Sequence, residues 1–298
     1  MNAAGIQSPN ETAMDGNAAG ALLRQVWDLN CQKVARLHGS ALMVRTAEGH
    51  YVLKRHAEHC TPNRDGLARI YAAVSAAGLS PAMVTLPNGG VFWEGGGCLY
   101  SLQVHGVSCA KAPTPAATGE WLARLHDCLA AVEGAPVANH LDRLVPDVPQ
   151  GADEYCLTEA TPFLGEAESL HRHRQPVHGD LHRGNLLFTA KAPLAIDFDS
   201  ATGSHPALDV GFAAYRLFGA DPDAFRGVAL AYTKSRPEAG VSPRTAALML
   251  LHAVVQRIVF ILRTAAKGDG QWLYDLDRQQ RYHRDALSLV NHSQRCSM

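Results

Sequence analysis

The sequence predicts an α+β fold, with a β-rich N-terminal lobe followed by a mostly helical C-terminal lobe. Short alternating runs bounded by turns lie before residue 106, and longer segments with apolar residues at helical spacing follow it. The chain also has 298 residues, of which 47% are hydrophobic, enough for two lobes that each bury a core. We therefore expect an N-lobe over 21–104 and a C-lobe over 105–298.

The N-lobe follows a segment without structural signals. Residues 1–17 are mostly small and polar and lack the apolar core of a signal peptide, so we expect disorder over 1–20. His50 to Arg55 alternates like a strand. Arg64 to Ala77 has apolar residues at helical spacing and ends before a glycine, which predicts a helix. Leu99 to Gly106 follows a glycine-rich turn and predicts another strand.

Three C-lobe segments predict helices. Thr118 to Val132 is amphipathic, and a final helix is expected around Tyr274 to Asn291. Thr245 to Ala266 is the most hydrophobic stretch, but polar and charged residues interrupt it. That interruption favours a buried helix over a membrane span.

The most informative segment reads HGDLHRGN from His178 to Asn185 and is followed, after an apolar run, by IDFD from Ile196 to Asp199. The H-x-D-x-x-x-x-N spacing resembles the protein-kinase catalytic loop. In that loop the Asp receives the proton of the acceptor hydroxyl, the Asn holds one magnesium ion, and a second Asp downstream holds the other. Asp180, Asn185 and Asp197 occupy those positions here.

Apolar runs flank this loop. Leu186 to Phe188 and Leu194 to Ile196 have β-type composition, so two short strands would bring Asn185 and Asp197 together. The alternative is an ordinary turn, because Gly and Asp both favour turns. A turn, however, predicts neither the Asn nor a second Asp after an apolar strand.

The residues of these segments, with His-Gly-Asp, Asn-Leu-Leu-Phe and Ile-Asp-Phe-Asp, resemble the motifs of the aminoglycoside phosphotransferase and choline kinase superfamily. The resemblance extends from about Arg36 to the last helix and is specific over 178–211. It implies a bilobal protein-kinase-like fold and transfer of the γ-phosphate of ATP or GTP to a hydroxyl, with Mg²⁺. It also implies that Asp180 accepts the hydroxyl proton and that Asn185 and Asp197 bind the metal.

The same resemblance implies the nucleotide-binding residues. Lys54, near the end of its strand, would hold the α- and β-phosphates, and Asp65, near the start of the next helix, would orient it where relatives have Glu. A plain acid at a helix N-terminus is an equal alternative for Asp65. Ser40, in a turn with a single glycine, would contact a phosphate. Backbone groups near Gln103 and Val104 would meet the adenine edge.

Further residues complete the implied site. Tyr100 would lie behind the base. His182 occupies the place of a protein-kinase lysine and would donate to the γ-phosphate, with a surface histidine as an equal alternative. His178 would anchor the loop, and Asp209 would tie down the loop backbone.

The acceptor is expected to be a small molecule, because the segment from Phe198 to Leu208 is too short for the peptide platform of a protein kinase. Its pocket would come from the C-lobe, with Trp272, Tyr274 and Asp275 as the main candidates. Arginine and lysine are about as frequent there as acids, which favours an acceptor of modest charge over a polycation.

Composition argues against other classes of protein. The formal net charge of −1 provides no basic surface for nucleic acid, and no membrane association is expected. The seven cysteines are odd in number and form no C-x-x-C pair. This pattern indicates reduced thiols in the cytoplasm and argues against a zinc site, so the metal should enter with the nucleotide.

Two alternatives remain at this stage. One keeps the chemistry but changes the acceptor, as in a homoserine-type or protein kinase. The other is a nucleotide-binding pseudokinase that acts as a sensor or scaffold. The presence of Lys54, Asp180, Asn185 and Asp197 argues against a pseudokinase, whereas the Asp at position 65 and the short phosphate loop leave it open.

Overall fold

The computed structural model describes residues 16–56, 64–108, 111–134, 157–170, 174–268 and 270–295. The chain divides into two compact units, Met1–Ala110 with Leu187–Asp199, and Lys111–Leu186 with Ser200–Met298. Our sequence-based boundary after residue 104 differs from the division after Ala110. The same boundary placed Leu187–Asp199 in the C-lobe. That segment belongs instead to the first unit, to which it is hydrogen-bonded: the Ala195 N–H donates to the Leu79 carbonyl at 2.8 Å.

Helices and strands follow one another in this order. The helices in the described residues are α1 (Gly16–Trp27), α2 (Arg64–Ala76), α3 (Pro115–Ala130), α4 (Leu157–Leu170), α5 (Ala207–Phe218), α6 (Pro222–Ser235), α7 (Pro243–Ala266) and α8 (Leu276–Arg295). The strands are β1 (Lys33–His38), β2 (Ala41–Arg45), β3 (His50–Arg55), β4 (Phe92–Gly95), β5 (Cys98–Val104), β6 (Gln175–Val177), β7 (Leu186–Phe188), β8 (Pro193–Ala195) and β9 (Thr202–Ser204).

The first unit is built on an antiparallel sheet with the strand order β1-β2-β3-β5-β4. In the register of β3 with β5, Leu53 lies opposite Leu102 and Lys54 lies opposite Ser101. Because successive side chains of a strand point to opposite faces, Leu53 and Leu102 share one face of the sheet and Lys54 and Ser101 share the other. The leucine face is covered by α1, and the lysine face carries the polar groups of the candidate site.

Helix α1 corrects one expectation. Disorder over 1–20 is wrong for residues 16–20, since α1 begins at Gly16 and Ala19 is fully buried; residues 1–15 lie outside the described residues. The signal that we missed is an apolar face at helical spacing. That face packs in one core cluster with the sheet, through Leu22, Leu23, Val26 and Trp27 of α1 and Val44, Leu53, Tyr100 and Leu102 of the strands.

The second unit consists of α3 to α8 and a small sheet in which β6 pairs with β9. The helices expected over 64–77, 118–132 and 245–266 and at the C-terminus are confirmed as α2, α3, α7 and α8. Helix α3 begins earlier than expected because the Thr114 side chain accepts the Ala117 N–H and Pro115 occupies the first turn. Helix α5 packs closely on α7, since a Cβ at Gly211 would lie 2.4 Å from the Ala246 carbonyl oxygen.

Helix α7 satisfies the length and composition of a membrane span, with a mean hydropathy of 1.9 in its most apolar window. However, 67% of that window is buried within the fold, against α4, α5 and α8 among others. The core helix of a globular protein passes the same two criteria, so this finding alone is weak evidence for a span.

Candidate active site

Lys54 lies near the end of β3, and its amine contacts two carboxylates of the segment that follows β8. The Nζ atom donates to Asp197 Oδ1 at 2.6 Å and lies 2.9 Å from Asp199 Oδ2. Burial lowers the pKa of Lys54, but the neighbouring acidic groups of Tyr71, Asp197 and Asp199 outweigh burial and raise the pKa above its usual value. Lys54 is therefore a fixed cation near neutral pH.

Asp197 presents its carboxylate from an unusual backbone conformation. Its φ of 67° lies in the left-handed region, which Asp tolerates better than most residues. The next residue is held firmly, since Phe198 is buried and its N–H donates to the Tyr71 hydroxyl at 3.2 Å. The Asp197 side chain is still 44% exposed. The backbone thus fixes a carboxylate that keeps access to solvent.

Asp65 is not the carboxylate that orients Lys54, so this prediction is corrected. Its side chain is 78% exposed and contacts Arg64 at 3.2 Å, near the start of α2. Among the described residues, the ion pairs of Lys54 are with Asp197 and Asp199. A short Asp side chain on the exposed face of a helix is better stabilised there by the helix dipole and by solvent.

Sequence reasoning gave no role to His56 and Asp199. His56 follows β3 directly, and its ring joins Asp199 Oδ1 to the Ser101 hydroxyl with contacts of 2.6 and 2.7 Å. Burial lowers the pKa of His56, although Asp199 opposes that shift. Burial raises the pKa of Asp199, but the hydrogen bond from His56 and the charge of Lys54 outweigh it and lower the pKa. The sequence did contain a signal for both, because each is a polar residue two positions after a predicted site residue.

One backbone group of the predicted adenine contact is already engaged within the fold. Gln103 and Val104 lie inside β5, and the Val104 N–H already donates to the Ala82 carbonyl at 2.8 Å. Gly106 and Val107 follow the strand, and no hydrogen bond to another described residue uses their N–H groups. The adenine contact by backbone groups near Gln103 and Val104 stays a prediction, with the N–H groups of Gly106 and Val107 as neighbouring donors.

Tyr100 does not lie on the face of the sheet that carries Lys54. It neighbours Ser101, the partner of Lys54, and therefore points to the opposite face. There it is buried, with its ring 5.5 Å from that of Trp93. Ser40 lies in the turn between β1 and β2, where its carbonyl accepts the Arg55 N–H at 3.1 Å. A phosphate contact by Ser40 stays a prediction.

In the second unit, a short loop after β6 carries Asp180 and Asn185. The Asn185 Nδ2 atom donates to the Asp180 carbonyl at 2.9 Å, across a single 3₁₀ turn. Among the described residues no hydrogen bond uses the Asn185 Oδ1 atom. The Asp180 side chain is 49% exposed. The loop thus presents an open carboxylate and an amide oxygen whose side chain is fixed by its nitrogen.

Asp209 holds the backbone of this loop. Its Oδ2 accepts the His178 N–H at 2.7 Å and its Oδ1 accepts the Gly179 N–H at 2.9 Å, from a fully buried position in α5. Burial raises the pKa of Asp209, but His126, His178 and the Gly179 N–H outweigh it and lower the pKa. The structure thus brings together His178 and Asp209, the two residues expected to anchor the loop.

Gly179 explains why the loop reads His-Gly-Asp. Its φ is 81°, and a Cβ at this position would lie 2.3 Å from the Ser200 carbonyl oxygen. Residues with a side chain fit neither the conformation nor the space. The His178 Nδ1 atom accepts the Asp180 N–H at 3.3 Å, so the bend places the buried ring under the residue that carries the carboxylate.

His126 is a third partner of Asp209, beside the two backbone N–H groups, and sequence reasoning did not connect the two residues. It is fully buried in α3, and its Nε2 atom lies 3.0 Å from Asp209 Oδ2. Its Nδ1 atom lies 2.9 Å from the Tyr232 hydroxyl. Burial raises the pKa of Tyr232 to about 12, so the hydroxyl stays protonated. The Tyr232 hydroxyl therefore donates to His126 Nδ1, and His126 Nε2 donates to Asp209.

His182 lies beside Asp180. Its Nδ1 atom accepts the Gly184 N–H at 2.9 Å, and its Nε2 atom lies 3.6 Å from Asp180 Oδ2. Because Nδ1 is an acceptor, the proton of a neutral ring is on Nε2. His182 thus offers one N–H donor next to the loop carboxylate. Its two expected roles, a donor to the γ-phosphate and a surface histidine, both stay predictions.

The acceptor candidates differ in their availability. Asp275 is buried and contacts Arg257 at 3.3 Å and Arg278 at 2.5 Å, so its charge is already neutralised. The predicted acceptor contact by Asp275 is therefore corrected, because its carboxylate is already used within the fold. Trp272 lies under the Arg257 guanidinium, 4.7 Å from ring centroid to Cζ, and Tyr274 is exposed. These two aromatic residues stay candidates.

Asn185 and Asp197 have the donor atoms that Mg²⁺ requires. Mg²⁺ prefers hard oxygen ligands and keeps several ligands from water or phosphate. Within the described residues, no group of three or more His, Cys, Asp or Glu could hold a metal by itself. Each side chain, the Asn185 amide oxygen in the second unit and the solvent-accessible Asp197 carboxylate in the first, is by its own chemistry an oxygen ligand of this kind.

Comparison with known sequences gives one family. The model of the phosphotransferase enzyme family matches residues 37–244. A search of curated proteins found no significant match.

Solved structures with the same architecture include kinases of antibiotics and of choline. A spectinomycin phosphotransferase in complex with ADP and spectinomycin is 10% identical with a TM-score of 0.65, over 94% of this chain and 98% of that one. An amicoumacin kinase in complex with AMP-PNP is 14% identical with a TM-score of 0.63, over 92% and 93%. A choline kinase from Streptococcus pneumoniae is 13% identical with a TM-score of 0.63, over 91% and 98%. At these identities the likeness shows the fold, which is the protein-kinase-like fold expected from the sequence.

Proposed function

This chain belongs to the phosphotransferase enzyme family, and from that premise we propose that it transfers the γ-phosphate of ATP or GTP to a hydroxyl of a small molecule, with Mg²⁺. The observation that carries the proposal is the 2.6 Å contact between Lys54 Nζ and Asp197 Oδ1, residues far apart in sequence. A buried lysine next to a solvent-accessible carboxylate supports one residue for phosphate and one for metal.

The nucleotide would be held by charge and by backbone. Lys54, fixed as a cation, would bind the α- and β-phosphates. Gly106 and Val107 would offer backbone groups to the base edge, and Ser40 a hydroxyl to a phosphate. Asn185 and Asp197 would hold Mg²⁺, which neutralises the charge that develops on the phosphates.

Proton transfer would fall to Asp180. Its carboxylate is half-exposed, and a carboxylate within hydrogen-bond reach of a hydroxyl can take its proton as the phosphoryl group transfers. His182 would supply an N–H to the γ-phosphate. Asp209 and His178 would keep the loop backbone in position and touch no reacting atom.

The acceptor we propose is neutral, singly charged or zwitterionic. Asp275, the buried acid of the candidate region, is neutralised by Arg257 and Arg278 and offers no charge to a polycation. Trp272 and Tyr274 supply aromatic surface, which suits an amino alcohol, a sugar or an antibiotic of modest charge.

A coupled assay of nucleoside diphosphate release tests this function. The purified chain is incubated with Mg-ATP or Mg-GTP and a panel of hydroxyl compounds, with Asp180→Asn as the control. We expect acceptor-dependent release that the control lacks. Tight binding of Mg-nucleotide without transfer to any acceptor would favour the sensor alternative instead.

A further inference from the structure

His56 lies two positions after Lys54, where β3 has just ended. Its N–H donates to the Leu99 carbonyl at 2.8 Å, so the backbone is still bound to β5. Its side chain is fully buried, and its ring packs edge-on against Phe92 and Tyr71 at centroid distances of 4.9 and 5.9 Å. The position of the ring is thus set by two aromatic neighbours.

Both ring nitrogens of His56 are engaged. Nδ1 lies 2.6 Å from Asp199 Oδ1, and Nε2 lies 2.7 Å from Ser101 Oγ. An ionised carboxylate can only accept hydrogen bonds, so Nδ1 carries the proton toward Asp199. In the neutral ring Nε2 then accepts the Ser101 hydroxyl proton.

The second oxygen of Asp199 completes the chain of contacts. Asp199 Oδ2 lies 2.9 Å from Lys54 Nζ, and the carboxylate is largely buried. Both oxygens are therefore used, one by His56 and one by Lys54. Serine, histidine and aspartate lie in the order of a hydrolase triad, but Ser101 is 1% exposed and no substrate could reach its hydroxyl.

We propose that His56 is a positioning residue that holds Lys54 for the nucleotide phosphates by orienting Asp199. The role rests on the proposed function, and it replaces the helix carboxylate that Asp65 does not supply. Lysine has a long flexible side chain, so a fixed carboxylate reduces the number of conformations its amine can adopt. Without the His56 N–H, Asp199 would lose a short hydrogen bond that orients its carboxylate and would hold the amine less firmly in one place.

Three substitutions test the donor. His56→Leu removes both hydrogen bonds, His56→Asn places an amide N–H near the site of Nδ1, and His56→Gln places one near the site of Nε2. A hydrogen bond to a charged group contributes about 1.5–3 kcal/mol, so we expect His56→Leu to weaken Mg-ATP binding by about 10- to 100-fold in calorimetry. His56→Asn should recover most of the affinity and His56→Gln little of it. Equal affinities for the Asn and Gln variants would overturn the proposal, even if the Leu variant fails to fold.

A double-mutant cycle separates positioning from general stability. In a Lys54→Met background, His56→Leu should cause no further loss of Mg-ATP affinity, because its effect acts through the amine. Additive losses would contradict the proposal. The matched control is His50→Leu on the exposed start of β3, for which we expect wild-type affinity.

The ring tautomer can be measured without nucleotide. Nitrogen NMR of the wild-type chain should show His56 protonated on Nδ1 and unprotonated on Nε2. The opposite tautomer would disprove the donor to Asp199. A wild-type chain that has the expected tautomer but binds no Mg-nucleotide would refute the proposed function, and with it the role of His56 in holding Lys54 for phosphates.

Discussion

Asp180 and Asp197 are both about half-exposed carboxylates, yet their surroundings differ. Asp197 contacts the amine of Lys54, and Asp180 lies on a loop whose neighbours are the Asn185 amide and the His182 ring. A solvent-accessible carboxylate is a hard oxygen ligand, which suits the metal-binding role proposed for Asp197. A carboxylate whose neighbours are weak donors can accept the proton of a hydroxyl, which suits the role proposed for Asp180.

Substitution should separate these two roles. We expect Asp197→Ala to abolish productive binding of Mg-nucleotide, because the metal loses a charged ligand. Asp180→Asn should leave nucleotide affinity nearly intact and lower kcat by ~10²–10⁴-fold, the range for a lost general base. Calorimetric titration and turnover assays of both variants measure this. Equal loss of nucleotide binding in the two variants would show that the roles are assigned wrongly.

Asp209 should make stability depend on pH. Its folded pKa is lowered, so its contribution is fully present above the unfolded pKa of about 3.9 and is lost as pH falls through the lower folded pKa. Asp209→Asn removes a buried charge partner, and we expect a loss of about 3–5 kcal/mol near pH 7. Urea unfolding between pH 3 and 7 should also show a shallower acid slope in the variant. The exposed Asp223→Asn is the control, and an unchanged acid slope in Asp209→Asn would contradict the assignment.

At the scale of elements, the strands and helices position these side chains by different means. The face of β3 and β5 that carries Lys54 also carries the polar residues Ser101 and Gln103, and the opposite face needs a cover because its leucines would otherwise meet water. Helix α1 is that cover.

The contribution of α1 can be measured with a buried leucine. Leu23 is fully buried against the sheet, so Leu23→Ala should destabilise the chain by about 2–5 kcal/mol. The adjacent exposed Arg24→Ala should change stability by less than about 0.5 kcal/mol. Denaturant unfolding followed by Trp fluorescence reports both values. Coincident unfolding curves for the two variants would mean that α1 does not stabilise the sheet.

At the scale of the whole molecule, the balance of charge bears on the acceptor. The net charge is −1, and cations in the second unit neutralise the buried acid at Asp275. Polycationic substrates gain from acidic surfaces, because opposite charge raises their local concentration. We therefore expect polycations to gain little from the charges of this molecule.

The expected acceptor preference follows from that balance. We expect neutral, singly charged or zwitterionic hydroxyl compounds to be phosphorylated with higher kcat/KM than kanamycin-like polycations. Their turnover should depend weakly on added salt, because little of the binding is electrostatic. The measurement is the nucleotide-consumption assay across both acceptor sets with a salt series. Efficient turnover of polycations that weakens steeply with salt would show that the preference is the reverse.

Local sequence patterns were enough to predict the main elements and to propose the residues of the loop. Asp180, Asn185 and Asp197 could be proposed as site residues because their spacing is local, and α2, α3 and α7 could be predicted because apolar periodicity is a property of one segment. Gly179 could also be recognised as part of the motif. The reason that a glycine is required there, the close approach of the Ser200 carbonyl, could not be predicted from the sequence.

Which side chains meet depends on the tertiary structure. Lys54 pairs with Asp197 and Asp199, which are remote in sequence, and not with the nearby Asp65. The same holds for Asp209, whose side-chain partner, His126, comes from another helix. A carboxylate in a sequence carries no sign of its burial or its partner. Both depend on how distant segments pack, because burial sets the energetic penalty of a charge and packing determines which donor is close enough to offset it.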